Sequence, residues 1–227
     1  MCDFMRKLLF LIAKAVGAGF MICLAAIVYL RCSNRIVGAV LFAFGLLTIC
    51  IWGMKLFTGF VGYLADRRKP YDAIEYLWKC LVVWLGNFAG CALAASWYRC
   101  TETYESIKPI VNDMVALKCQ ASIYSLGFLG ILCGFLMHLA VHTWKQYKMA
   151  PMIRVYMVFL PVVVFILSGF EHSIADMAYV MLSSDANMSS ALIMLVIVTI
   201  GNTAGGLYAA WLLNIIQKEK QKENTKC

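Results

Sequence analysis

The sequence predicts an all-α membrane protein with six transmembrane helices in two inverted three-helix repeats, in which the second and fifth helices are broken. Three observations support this fold class: the apolar composition, six apolar runs of membrane-spanning length, and a glycine pattern that occurs twice. Of the 227 residues, 63% are apolar and only 14% are charged, and the mean hydropathy is +0.78. Such values exclude an ordinary soluble domain.

Each predicted transmembrane helix is a mostly apolar run of at least about 20 residues, the length that crosses the hydrocarbon core of a bilayer. The first run is longer than a secretory signal and contains Lys14, which favours a retained span. Little sequence remains for a soluble domain, so residues 1–227 are predicted to form one transmembrane transporter domain. The predicted spans are Leu8–Leu30, Ile36–Leu64, Leu77–Tyr98, Ile123–Thr143, Arg154–Met181 and Ala191–Ile216.

The distribution of positive charge predicts the topology. Twelve lysines and arginines lie in the N-terminus, the loops after the second and fourth spans, and the tail at 218–227, whereas five lie in the opposite loops. By the positive-inside rule, we expect a multi-pass plasma-membrane protein with both termini and a solvated tail in the cytoplasm. The net charge of +8 is mainly this topology signal, and no basic stripe interleaved with aromatic residues favours nucleic-acid binding.

A glycine pattern relates the two halves of the chain. The segment GNFAG at Gly86–Gly90 in the third span recurs as GNTAGG at Gly201–Gly206 in the sixth, 115 residues later. Repeat one is predicted over about 1–100 and repeat two over about 119–217; three spans per repeat require the second to enter the membrane from the opposite side. The other glycine pairs, at offsets of 115 and 116, are Gly19 with Gly134 and Gly53 with Gly169.

Glycines and charged residues interrupt the second and fifth spans, where helix breaks are predicted. In the second span, WGMKLFTGFVGYLAD contains Lys55 and Thr58 between two glycines, and in the fifth, LSGFEHSIADM contains three ionisable residues after Gly169. Glycine relaxes the backbone. Charged side chains in the bilayer persist mainly when they are paired or line an aqueous path. The breaks are therefore the predicted functional region.

Within LSGFEHSIADM, the ionisable residues are Glu171, His172 and Asp176. Ser173 followed by Asp176 has capping-box spacing, which predicts a half-helix that starts near Ser173. Glu171 and Asp176 are open to a structural reading, as ligands of backbone amides at the break, and this is favoured for Asp176. His172 is favoured as a functional group, because its neutral ring exchanges protons near physiological pH.

Asn87 and Asn202 follow glycines at equivalent repeat positions. Hydrogen bonding to the loosened backbone of the broken helices is the favoured role, and direct contact with a pore is the alternative, because their amide groups must be satisfied in a dry setting.

The resemblance to a known family rests on four segments taken together: SGFEHSIADM, KLFTGF, GNFAG and GNTAGG. Over essentially the whole chain they resemble the formate/nitrite transporter family. The resemblance implies a homopentamer in membrane lipid, with a pore and an aquaporin-like arrangement of spans in each protomer. It implies passage of formate, nitrite or hydrosulfide, alone or with protons, and no cofactor.

The resemblance also implies roles for individual residues. His172 corresponds to the central pore histidine and Glu171 to the glutamate before it, while Lys118 corresponds to the lysine that draws anions into the vestibule. The other matched positions are Thr58 with Leu56 and Phe57 in the loop of the second span, Phe170 in an apolar constriction, and Asn87 and Asn202 in the third and sixth spans.

The chain departs from the family pattern at Lys55, Asp176 and Gly134. Lys55 and Asp176 are interpreted as possible mutual electrostatic support. The implied mechanism is passage of the anion as a neutral acid, protonated by His172 or by water relayed through it. The alternative is an intact anion that passes a cationic or hydrogen-bonding His172.

Two other function classes fit parts of the sequence. A neutral-solute channel of aquaporin type shares the spans and half-helices, but the paired N-P-A signature is missing. A membrane metalloenzyme could use the ionisable residues of the fifth span, yet no H-E-x-x-H occurs and no metal site is predicted. His138 and His142 lie on one face of the fourth span, where an interfacial role is favoured over metal binding. Cys100 and Cys119 could pair in an oxidising compartment.

Overall fold

The computed structural model describes residues 2–65, 73–146 and 149–226, and within these ranges every regular element is a helix. Two short 3₁₀ segments, Val61–Ala65 and Glu102–Ser106, accompany the α-helices. The α-helices are α1 Cys2–Arg31, α2 Arg35–Ile51, α3 Phe57–Phe60, α4 Ala73–Arg99, α5 Lys108–Gln120, α6 Ile123–Trp144, α7 Pro151–Leu167, α8 Ser173–Leu182 and α9 Met188–Lys226.

Four helices among the described residues are long and apolar enough to cross a membrane, namely α1, α4, α6 and α9. They correspond to the first, third, fourth and sixth predicted spans. The chain is therefore a multi-pass membrane protein. At the C-terminal end, α9 continues through Lys226, so residues 218–226, predicted as a separate tail, extend the last helix.

The regions of the second and fifth predicted spans each contain two helices with a non-helical segment between them. α2 ends at Ile51 and α3 begins at Phe57, while α7 ends at Leu167 and α8 begins at Ser173. In each interruption a glycine adopts positive φ, 63° at Gly53 and 70° at Gly169. Side chains with a Cβ are strained in that conformation, which explains glycine at both positions.

The glycine pattern also has a packing function. A Cβ added to Gly19 on α1 would overlap the main chain of Asn87 on α4, and one added to Gly134 on α6 would overlap that of Asn202 on α9. In lipid, helices associate through close packing, which small residues permit. The two glycines therefore allow α1 to meet α4, and α6 to meet α9, at main-chain distance.

Local sequence explains where several helices begin. Asn34 Oδ1 accepts hydrogen bonds from the amides of Ile36 and Val37, at 2.9 and 3.1 Å, and so caps α2. Ser122 caps α6 in the same way through the amide of Ser125. Proline occupies the first turn of α5 and of α7, where its missing amide hydrogen costs nothing.

Helix α5 lies in the connection that the sequence predicted only as a loop. Its buried residues are Val111 and Val115, four residues apart and therefore on one helix face. The same helix carries Lys118 in its last turn. α5 thus fixes the position of Lys118.

We expect Gly19→Ala to lower the free energy of unfolding by about 1–3 kcal/mol, the usual cost of overpacking a filled contact. Gly17→Ala on the same helix is the matched control, because its new Cβ would meet only the Met54 side chain, at 3.4 Å. Thermal unfolding of both purified variants in detergent checks the difference. Equal midpoints for the two variants would contradict a main-chain contact at Gly19.

Candidate functional site

The two short half-helices meet through a hydrogen bond deep in the bundle. Thr58 in α3 and His172 at the start of α8 are 0% and 2% exposed, and Thr58 Oγ1 lies 2.9 Å from His172 Nε2. The structure thus brings together one residue from each interrupted span, both of which the sequence singled out.

His172 is the N-cap residue of α8. Its Nδ1 accepts a hydrogen bond from the amide of Ala175 at 3.0 Å, and its ring stacks on Phe165 with centroids 5.5 Å apart. A neutral imidazole that accepts at Nδ1 carries its hydrogen on Nε2. The Nε2 hydrogen therefore faces the Thr58 hydroxyl.

The predicted capping box at Ser173 does not form. The half-helix does start at Ser173, but the cap is the imidazole of His172. The Ser173 hydroxyl is buried and has no hydrogen-bond partner. The physical reason is that the His172 ring, held by Thr58 and Phe165, already occupies the capping position.

Asn87 holds the first break. Its Nδ2 donates to the carbonyls of Ala15 and Lys55, at 2.7 and 2.8 Å, and its Oδ1 accepts from the amide of Phe57 at 2.9 Å. The side chain is fully buried. Both amide hydrogens and the amide oxygen of Asn87 are bonded to the backbone, which agrees with the favoured role.

Asn202 holds the second break with the same set of bonds. Its Nδ2 donates to the carbonyls of Gly130 and Glu171, both at 2.8 Å, and its Oδ1 accepts from the amide of Ser173 at 2.8 Å. Each partner lies 115 or 116 residues after its counterpart at the first break. In this correspondence Glu171 matches Lys55, and His172 matches Leu56.

A cavity of about 220 Å³, here called the Lys118 cavity, borders His172 on one side. The ammonium of Lys118 pairs with Glu171 and also lies 3.0 Å from Asp176 Oδ1. Burial alone would lower the pKa of Lys118, but the Asp176 and Glu171 carboxylates raise it above its usual value. Lys118 therefore stays protonated at neutral pH.

The pairing of Asp176 with Lys118 corrects the suggested support between Lys55 and Asp176. Lys55 lies in a different cavity of about 70 Å³, here called the Lys55 cavity, which Trp144 and Lys145 also line. Its ammonium is 5.6 Å from the ring centroid of Phe60. The two charged residues line separate cavities, because Lys55 belongs to the first break and Asp176 to the half-helix after the second.

Apolar side chains lie between the two cavities. Leu56 borders the Lys55 cavity, and Phe170 borders the Lys118 cavity. Phe57 is buried and lines neither of them. Leu56 at the Lys55 cavity is therefore joined to His172 at the Lys118 cavity through Phe57 and the Thr58–His172 hydrogen bond.

Arg35 is a residue that sequence analysis missed. It lines the Lys118 cavity, and its Nη2 donates to the carbonyls of Ile166 and Leu167 at the end of α7, at 3.4 Å each. Within the described ranges, no carboxylate pairs with Arg35. The sequence analysis used Arg35 only in the count of positively charged loop residues, and no motif in the sequence pointed to a role in the site.

Three further predicted features fall outside this region. His138 and His142 have ring centroids 5.8 Å apart and are both largely buried beside Tyr63, and their interfacial role stays a prediction. Cys100 and Cys119 are unpaired. Among the residues that the structure describes, no group of three or more potential metal ligands occurs.

Comparisons with known proteins agree with this architecture. A family model described as "Formate/nitrite transporter" matches residues 4–216. The chain is 32% identical over 178 residues to a protein of Escherichia coli (strain K12) named nitrite transporter NirC, a match that covers 73% of this chain and 65% of that protein.

Two solved structures are similar to the chain. One, described as an FNT family ion channel, has a TM-score of 0.77 at 27% identity, and the match covers 88% of this chain and 86% of the channel chain. Another, described as a pentameric formate channel with formate bound, has a TM-score of 0.79 and covers 93% of this chain and 98% of its own. Its identity is 23%, so that match shows the shared fold.

We expect Asn202→Ala to speed hydrogen exchange at the Ser173 amide by about 5- to 150-fold, because leaving a buried amide unpaired costs about 1–3 kcal/mol. Asn87→Ala should do the same at Phe57. Each variant is the control for the other, since exchange at the opposite break should not change. Hydrogen exchange with mass spectrometry measures both.

Asn214→Ala on α9 is a further control, because its amide donates to the Ala65 carbonyl, at 3.3 Å, and among the described residues it bonds to neither break. Acceleration at both breaks in any one of these variants would show general loosening and contradict separate clamps.

Proposed function

The chain belongs to the formate/nitrite transporter family, and on that premise we propose that it passes small monovalent anions, formate, nitrite or hydrosulfide, through a pore in each protomer of a homopentamer. The observation that carries the proposal is the pair of cavities on either side of the buried Thr58–His172 pair. Homologues named as transporters and channels point to transport rather than catalysis.

The proposed architecture has six spans in two inverted repeats, with α2–α3 and α7–α8 as the broken second and fifth spans. The matching bonds of Asn87 and Asn202 support this arrangement. The distribution of lysine and arginine supports cytoplasmic termini. On that topology, the Lys118 cavity opens to the outside and the Lys55 cavity to the cytoplasm.

Positive charge attracts the anion into the Lys118 cavity. Lys118 is shared between Glu171 and Asp176, so its charge is largely balanced. Among the described residues, Arg35 donates hydrogen bonds to two carbonyl oxygens and pairs with no carboxylate, and it supplies positive potential at the same cavity. We therefore assign the capture of the anion to Arg35 as well as Lys118.

The apolar segment at Phe57 then determines the form in which the substrate crosses. Moving a bare charge through a dry, apolar segment is prohibitive, whereas a neutral hydrogen-bonding molecule crosses at far lower cost. Desolvation also makes the entering anion more basic. The substrate therefore crosses as its protonated, neutral acid.

The hydrogen bonds of His172 limit its part in this protonation. Its neutral ring holds one hydrogen, on Nε2, and Nδ1 is engaged by the amide of Ala175. A cationic ring would lose that cap bond, and a neutral ring cannot give up its only hydrogen. His172 and Thr58 therefore act as hydrogen-bonding partners of the passing acid, and the proton comes from water or another group.

We expect Arg35→Ala to reduce anion uptake about two- to tenfold at low ionic strength and subsaturating substrate, the effect of one removed charge near the entrance. Uptake into proteoliposomes of formate, nitrite, hydrosulfide, lactate and glycerol measures this, and glycerol should not enter. Arg31→Ala is the matched control, because Arg31 bonds to Ser106 and lies outside the cavity. Glycerol entry at anion rates would contradict anion selectivity.

Lys118→Ala should also reduce uptake in the same assay. It leaves Glu171 and Asp176 buried without their cation, which typically costs about 3–5 kcal/mol in stability. Lys118→Arg keeps the charge and separates lost folding from lost capture.

Proton and anion fluxes should be equal in wild-type proteoliposomes, because the substrate crosses as a neutral acid. His172→Asn should keep this coupling with reduced rate, since an asparagine amide can still cap α8 in place of Nδ1. His172→Phe loses both bonds and should transport far more slowly. Simultaneous recording of internal pH and anion content measures the ratio of the two fluxes in each variant.

An uncoupled anion current in the wild type would contradict passage as a neutral acid. Loss of coupling in His172→Asn, as complete as in His172→Phe, would instead make His172 an obligatory proton carrier.

A further inference from the structure

Lys118 faces two buried carboxylates with a single positive charge. Its ammonium pairs with Glu171 and with Asp176, and the side chains of Lys118, Glu171 and Asp176 are 18%, 9% and 1% exposed. With both carboxylates ionised, the cluster would carry a net negative charge where little water reaches it. Burial of an unbalanced charge is strongly unfavourable.

Asp176 is the member of the cluster with an unsatisfied oxygen. Its Oδ1 contacts Lys118, whereas its Oδ2 is buried and has no hydrogen-bond partner. An ionised carboxylate oxygen in such a position lacks any compensation for its lost water. A proton on the carboxyl group would remove the unbalanced charge of the cluster.

Asp176 also lies beside the proposed path of the substrate. It lines the Lys118 cavity together with His172, and its amide donates to the carbonyl of His172 at 2.9 Å. The carboxyl group is therefore one helical turn from the Thr58–His172 pair, on the side where the anion enters.

We propose that Asp176 is a proton-binding site that loads the substrate anion in the Lys118 cavity. The carboxyl group of Asp176 takes a proton from water of the Lys118 cavity, which Asp176 lines, and the anion enters beside Lys118. The O–H bond of the carboxyl group then breaks, a bond from hydrogen to the anion forms, and the neutral acid leaves toward Thr58. Asp176, again a carboxylate, returns to its ion pair with Lys118.

This inference rests on the proposed function for the identity of the anion, and it names the proton source that His172 does not provide. Binding of the proton and of the anion are reciprocally linked, because each makes the charge of the cluster more favourable for the other. The Lys118 cavity therefore binds the two together.

Other titratable groups near Asp176 do not balance its charge. Arg35 is the second cation of the cavity, but it is exposed to solvent and contacts carbonyls of α7, so its effect on a buried carboxylate is screened. The N-terminus of α8 favours a negative charge on Asp176 in its first turn and so acts against the proton. The Glu171 carboxylate, which shares Lys118 with Asp176, acts in favour of the proton. The titratable groups around Asp176 are Tyr29, Arg35, Lys118, Cys119, Cys133, Glu171, His172 and Tyr179.

Infrared spectroscopy of the purified wild-type protein tests the proton site directly. We expect the C=O stretch of a protonated carboxylic acid near neutral pH, shifted when aspartate carries a ¹³C carboxyl label. The band should vanish in Asp176→Asn and persist in Asp113→Asn, whose carboxyl is exposed on α5. No band in the wild type, or a band that shifts only with labelled glutamate, would overturn the proposal; the labelled wild type needs no variant to fold.

Uptake in proteoliposomes tests the role of the site in loading. The free anion also becomes protonated at low pH, but this affects the wild type and Asp176→Asn equally. The ratio of their uptake rates therefore reports only the contribution of Asp176. It should fall, by up to about tenfold per pH unit, above the pH at which Asp176 ionises. A ratio that stays flat from about pH 5 to pH 10 would overturn loading by Asp176.

The two proposals fail in different ways. A wild type that moves none of the anions contradicts the proposed function, and the infrared band still decides whether Asp176 holds a proton. A wild type that moves anions with a flat ratio contradicts only the loading step.

Discussion

The structure depends on one constraint: a chain can leave the helical conformation inside a membrane only where other groups bind the released amides and carbonyls. Two asparagine side chains meet this requirement. Asn87 and Asn202 each accept one amide hydrogen at the start of a half-helix and donate to two carbonyls. Because the breaks are held in this way, Thr58 and His172 can face each other in the interior.

The second determinant of the site is its charge arrangement. The Lys118 cavity contains Lys118, Arg35, Glu171 and Asp176, and the carboxylates both contact the same ammonium group. A cavity of this kind attracts anions only moderately, since strong unbalanced charge would hold them rather than pass them. In the proposed transport, the charge of the cavity thus depends on whether Asp176 carries a proton.

Sequence reasoning predicted well what the repeat and the helix geometry determine. The glycines at Gly53 and Gly169 and the asparagine clamps follow from motifs of fixed spacing, because the same backbone problem is solved twice. The partner of Asp176 could not be predicted, since Lys118 reaches it only after α5 docks on α8. The His172 cap was missed because the Ser173–Asp176 spacing fits a commoner motif, and Arg35 looked like an ordinary loop charge.

The correspondence of the two breaks has a kinetic meaning. The two breaks have matching backbone hydrogen bonds, yet Lys55 stands at the first where Glu171 stands at the second, and Leu56 stands where His172 does. Under the proposed function, a solute that arrives from one end meets different functional groups from one that arrives from the other. Such asymmetry would not drive net flow without a gradient, but it would give the two ends of the proposed pore unequal half-saturation concentrations, so that each membrane face has its own working range.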